Sequence, residues 1–121
     1  MNLKRGTGEN MHRINIKPLS INCAFQGRRF KTPAYNKYER DCLLLLPAIK
    51  IPLPPYRLTI ELGFSNKGAD LSNPLKLIED IIQKKYGIND KDVYQIVLNK
   101  VIVSKSNEYF KFNLESLNKN M

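Results

Sequence analysis

The residues of this chain that can do chemistry gather in Asp70-Leu71-Ser72-Asn73-Pro74 and, twenty positions after its aspartate, in Asp90 of Gly87-Ile88-Asn89-Asp90-Lys91-Asp92-Val93. Two carboxylates suit a hard cation: magnesium is commonly held by one or two of them, with water and substrate phosphate filling the other positions. Lys76 adds a positive charge three residues after Asn73. The same residues also have a purely local reading, in which Asp70 favours the positive end of a following helix and Asn89, Asp90 and Asp92 form a solvated turn. Other chemistries lack parts. His12 is the only histidine, so a Cys-His or Ser-His nucleophile is improbable and a zinc site lacks ligands. Gly6-Thr7-Gly8 has neither the third glycine nor the preceding strand of a phosphate loop. Asn89-Asp90-Lys91-Asp92 does not continue into the glycine and distal glutamate of a calcium loop.

These acids sit in a basic protein. Over 121 residues, 20 Lys and Arg stand against 11 Asp and Glu, for a net charge of +9. That balance favours polyanions, nucleic acid before anionic membrane. A surface built for nucleic acid should shed carboxylates unless they hold a cation. The longest apolar run, Cys42 to Pro47, is far shorter than the roughly 20 residues of a spanning helix, and no charged-then-apolar signal segment opens the chain. A cytoplasmic protein without a membrane partner is expected. Cys23 and Cys42 have no zinc spacing and lie among apolar residues, as reduced core thiols do.

The length fits one domain. Residues 1–10 read as a flexible tail, 11–114 as the folded domain and 115–121 as a second tail. His12 to Lys17 alternates like a strand, with Ile14 and Ile16 on one side. Leu19 to Phe25 is a further extended segment closed by the turn Gln26-Gly27-Arg28-Arg29. Thr32-Pro33 has the form of an N-cap and first helical position, opening a helix to about Leu46 that Pro47 stops. Tyr56 to Phe64 is the clearest strand, and Ser65 to Ala69 is the loop that delivers Asp70. Asn73 is then the expected N-cap of a helix from Pro74 to about Tyr86, ended by Gly87, with Leu75, Ile78, Ile81 and Ile82 as its buried stripe. Val93 to Val103 and Glu108 to Leu114 read as two strands joined in a hairpin by Ser104-Lys105-Ser106-Asn107. The order β-β-α-β-α-β-β predicts an α+β domain with a small mixed sheet and two main helices. A helix of about 13 residues is roughly 20 Å long, so Asp90 approaches Asp70 only if the stretch from Gly87 to Val93 folds back across it.

Asp70-Leu71-Ser72-Asn73-Pro74-Leu75-Lys76, then Asp80 and Gly87 to Val93, resembles the central motif of the RusA-type Holliday-junction resolvases: Asp-x-Asp-Asn, a lysine three positions on, and a later glycine before an acid-rich loop ending in Asp-x-x-Val. Leu19-Ser20-Ile21-Asn22 is similar to the family's Pro-Ser-x-Asn segment. Gly27-Arg28-Arg29-Phe30-Lys31 with Tyr35 is similar to its basic stretch before the first helix. The match spans His12 to Phe112. It implies a homodimeric, magnesium-dependent endonuclease, with manganese as a substitute, that nicks four-way DNA junctions in recombination and repair; small resolvases of this type are often phage or prophage proteins. By position, Asp70 and Asp90 match catalytic, metal-binding aspartates, Lys76 the lysine beside the scissile phosphate, and Asn73 the motif asparagine that fixes the loop. Ser72 replaces the second aspartate. Its hydroxyl can ligate a metal but brings no charge, so metal affinity and activation of water should weaken.

On this reading Arg28, Arg29, Lys31, Lys37 and Arg40 hold the phosphate backbones, and binding falls steeply with salt. Two sites on a twofold dimer fit paired nicks. The rival is a DNA-binding homologue of the same fold whose cleavage is weakened or lost through Ser72. A basic interaction module with no nucleic-acid role is a third reading.

Overall fold

The computed structural model describes residues 11–19, 25–26 and 30–118. The tail expected over residues 1–10, most of the Leu19–Phe25 segment with Cys23, and the turn bearing Arg28 and Arg29 lie outside these residues. Four strands form one sheet: β1 (His12–Ile14), β4 (Tyr56–Phe64), β5 (Val93–Ile102) and β6 (Tyr109–Ser116), in the order β1-β6-β4-β5. Two short strands, β2 (Phe25–Gln26) and β3 (Phe30–Lys31), make a separate antiparallel pair. The helices are α1 (Pro33–Leu45) and α2 (Ser72–Tyr86). This is the expected α+β domain with a mixed sheet.

Period-two patterning puts Leu58, Ile60, Leu62 and Phe64 of β4 on the same face as Phe110, Phe112 and Leu114 of β6, through the register Leu58↔Leu114, Ile60↔Phe112 and Leu62↔Phe110. Leu77, Ile78, Ile81 and Ile82 of α2, with Tyr35, Tyr38 and Cys42 of α1, belong to the same buried cluster. Each such Leu or Ile contributes about 1.5–3 kcal/mol by leaving water. The helix stripe thus includes Leu77, which is fully buried, whereas Leu75 is only half-buried against the core.

Helix α1 starts as its local chemistry dictates: the Thr32 hydroxyl accepts from Tyr35 N at 3.1 Å and Pro33 occupies the first turn. Helix α2 ends at Gly87, whose φ of 67° is left-handed and whose N–H donates to Gln83 O. Its start differs from the sequence expectation. The helix begins at Ser72, two residues before Pro74, and the capping acceptor is Asp70 rather than Asn73. Proline is tolerated there because a first-turn N–H has no intrahelical acceptor.

The expected β5–β6 hairpin is also corrected. Strand β4 lies between them, parallel to β5 and antiparallel to β6. Helix α2 is the crossover that parallel β4 and β5 require. Residues 103–108 then pass the Phe64 end of β4, where Val103 N donates to Phe64 O and the Glu108 carboxylate accepts from Ser65 N. Strand β6 continues to Ser116, two residues into the expected C-terminal tail, held by an ion pair between Arg57 and Glu115 at 2.9 Å. Among the described residues no helix is long and apolar enough to cross a membrane.

Candidate functional site

Asp70 leaves the β4–α2 loop at the Phe64 end of the sheet. Its Oδ1 accepts from both Ser72 N and Ser72 Oγ at 3.0 Å, an Asx turn that starts α2. Asp70 and Ser72 are exposed beside the positive end of the helix. Lys76, one turn further, is 61 % exposed and lies 3.6 Å from Asp80 on the same face. Asp70, Ser72 and Lys76 therefore share one exposed helix start. Asn73 is half-buried and, among the described residues, its amide makes no hydrogen bond, so it is not the cap.

Contacts from distant strands fix the loop carrying Asp70. Lys100 of β5 donates its ammonium to Lys67 O at 2.6 Å and Ala69 O at 2.7 Å. Glu108 accepts at Oε2 from Ser65 N at 2.9 Å and Ser65 Oγ at 2.7 Å, and these bonds hold its carboxyl below the usual range. Sequence reasoning passed over both residues. Lys100 did leave a signal: it interrupts the alternate apolar positions Tyr94, Ile96, Leu98 and Ile102, directly across from Leu62.

Asp90 is elsewhere. It opens a short 3-10 turn, Asp90–Asp92, whose Asn89 side chain accepts from Lys91 N. The turn leads into Val93, which pairs with Tyr56 at the opposite end of β4 from Phe64. A strand of this length measures on the order of 25 Å. Tyr56 is pushed up by burial and by Asp92. Glu79, midway along α2, is raised by burial and, against the lowering effect of Lys76, by Asp80 and Asp90. One chain thus does not bring Asp90 to Asp70, and the loop does not fold back in the way their pairing required. Among the described residues no group of three or more acids, histidines or cysteines is placed to hold a metal ion.

Of the predicted phosphate-binding residues, Lys37 and Arg40 are on α1 and Lys31 lies just before it. Lys31 reaches Glu39 at 3.5 Å and lies over the Tyr35 ring, while Lys37 pairs with Asp41 at 2.6 Å. Arg40 is exposed on the same helix. Glu39 also meets Lys84 at 3.6 Å, tying α1 to α2. Cys42 is buried and its thiol is pushed up to about 12, chiefly by burial, so it is inert as a nucleophile.

A cleft of about 620 Å3 opens beside Asp70, between the Lys17–Leu19 segment and the β4–α2 loop. Compared with protein-family models and with curated proteins, the chain finds no match.

Proposed function

We propose that this chain is a magnesium-dependent endonuclease selective for four-way DNA junctions, acting in recombination and repair as a homodimer, the activity to which its motifs point by resemblance. The observation that carries the reading is the exposed grouping of Asp70, Ser72 and Lys76 at the start of α2, where the helix dipole and the lysine favour a phosphate.

Among the described residues the other carboxylate lining the cleft beside Asp70 is Glu108, whose Oε2 is held by Ser65, so the metal set fits across two copies rather than within one. Strand β5 is a sheet edge, and Tyr94, Ile96 and Ile102 on it are 73 %, 40 % and 45 % exposed. Antiparallel pairing of two β5 edges about Leu98 sets Tyr94 of one copy beside Ile102 of the other. It also carries the Asp90 end of one copy toward the Asp70 end of its twin. Asp70 of one copy and Asp90 of the other would then hold magnesium or manganese, which when bound acidifies a water and polarises the phosphate. Lys76 neutralises charge that develops on the phosphate oxygens. Lys31, Lys37 and Arg40, with Arg28 and Arg29, hold backbone phosphates.

A second reading, junction binding without cutting, is favoured by one contact: Ser72 donates its hydroxyl to Asp70 Oδ1 and adds no charge where the family motif has a carboxylate.

The deciding assay incubates the protein with a synthetic four-way junction or a matched linear duplex, with magnesium or manganese. Symmetric nicks in the junction that Asp70→Asn abolishes support the enzyme. Tight junction binding with no nicks under either metal refutes it and leaves the second reading, for which Ser72→Asp should create activity. Mixing Asp70→Asn with Asp90→Asn protein tests the shared site. Each variant alone is inactive, but a mixed dimer keeps one site with both aspartates and nicks one strand; a mixture as dead as its parts places both aspartates in one chain's site.

A further inference from the structure

The cleft beside Asp70 has a composition that the proposed phosphate chemistry does not use. Pro18 and Pro74 are buried in its walls, and Phe64 is 6 % exposed. Its polar lining includes Asn73, whose amide is unengaged among the described residues, and Glu108, whose Oε2 is taken by Ser65. Lys17 stands exposed at the edge. At about 620 Å3 the cleft is within the range of small-ligand sites, roughly 300–1,000 Å3.

We propose that this cleft receives a single unstacked nucleobase from the DNA strand whose phosphate lies at Asp70. The inference rests on the reading of DNA as the ligand. Charge selects which part of a nucleotide enters. Asp70 and Glu108 outnumber Lys17 in the lining, so a phosphate is repelled from its interior and stays at the edge with Lys17, while the uncharged base enters. Apolar walls with a few hydrogen-bonding groups are the surroundings in which extruded bases are held. Asn73 offers a donor and an acceptor to a base edge, and Glu108 offers only an acceptor. Unstacking a base costs a few kcal/mol in a duplex and least where pairing is already broken. A base site of this kind therefore helps a protein with few base contacts prefer a branch point to a continuous helix.

The test is a two-dimensional NMR titration of the metal-free protein with a short single-stranded oligonucleotide and with an abasic strand of equal length and charge. The base-bearing strand should shift the Asn73 side-chain amide and the Ser65 and Gly68 backbone amides, and the abasic strand should not. Asn73→Ala should weaken the base-bearing strand by up to about tenfold, the scale of one lost hydrogen bond, and leave abasic binding unchanged. Equal binding of both strands, with shifts confined to the exposed lysines, overturns the base site while leaving DNA as the ligand. Failure of both strands to bind overturns both.

Discussion

Replacing Gly63 with alanine should destabilise the protein more than any comparable change in a strand. A Cβ built on Gly63 would lie 2.4, 2.6 and 2.8 Å from three ring carbons of Tyr109, its cross-strand partner. Carbon atoms prefer about 3.5–4.0 Å, so the ring must retreat by roughly 1 Å. It has little freedom to do so. Tyr109 is 4 % exposed, its hydroxyl donates to Glu61, and the Arg13 guanidinium sits 3.9 Å from its ring centroid. Overpacking costs about 1–3 kcal/mol, and a displaced ring also forfeits a charge-assisted hydrogen bond of about 1.5–3 kcal/mol and a cation–π contact near 0.5–1 kcal/mol. Some of each survives a small shift, and alanine regains about 0.5–1 kcal/mol by restricting the unfolded chain. The net loss is about 2–4 kcal/mol, which lowers Tm by roughly 10 °C in a domain of this size. Denaturant titration of Gly63→Ala, Tyr109→Ala and the double variant measures it. The double variant should be less destabilised than the sum of the singles by at least about 1 kcal/mol. A Gly63→Ala protein within about 0.5 kcal/mol of the parent, or strictly additive singles, refutes the packing of Tyr109 over Gly63.

Lys100→Met keeps the aliphatic stem but removes both bonds to the loop, so global stability should fall by only about 1 kcal/mol while hydrogen exchange at Gly68 and Ala69 quickens several-fold; unchanged exchange there would show that the clamp does not order the loop. Glu108 has a lowered folded pKa, so its stabilisation is complete above its ordinary value of about 4.3 and drains away as acid protonates it in the folded protein. Stability measured from pH 6 down to pH 2 should therefore fall less steeply in Glu108→Gln. In a Cys23→Ser background, Cys42, with its thiol pushed up to about 12 by burial, should react with a disulfide reagent at pH 8 only as fast as the protein opens; rapid labelling of the folded protein would place that thiol outside the core.

What was legible in the sequence was local. Thr32-Pro33 and Gly87 read correctly because a cap and a left-handed terminus are decided within one turn. The start of α2 was misplaced because Asn73-Pro74 and Asp70-Leu71-Ser72 both carry capping chemistry, and only packing chooses between them. The polar tetrapeptide Ser104–Asn107 marks a reversal of the chain but does not say whether the returning strand pairs with its predecessor or passes over a neighbour. That is decided by β4, whose apolar face needs a strand on each side. The exposure of Lys76 follows from helical periodicity, since it lies off the stripe of Ile78, Ile81 and Ile82. The separation of Asp90 from Asp70 follows from the parallel register of β4 and β5, a long-range fact that no window of sequence contains.

The position of β6 also bears on synthesis. In the sheet it is flanked by β1 and β4, and His12 faces Phe112, 100 residues later in the chain. While the polypeptide is being made, β1 has no partner among the described strands, and β4 can pair on only one edge, until β6 has left the ribosome. The four-stranded sheet is therefore completed only once β6 has been made, as one cooperative event of high contact order, rather than strand by strand. An interrupted chain that stops short of Tyr109 would expose the apolar face of β4 and an open strand edge together, a combination prone to aggregation and suited to capture by chaperones.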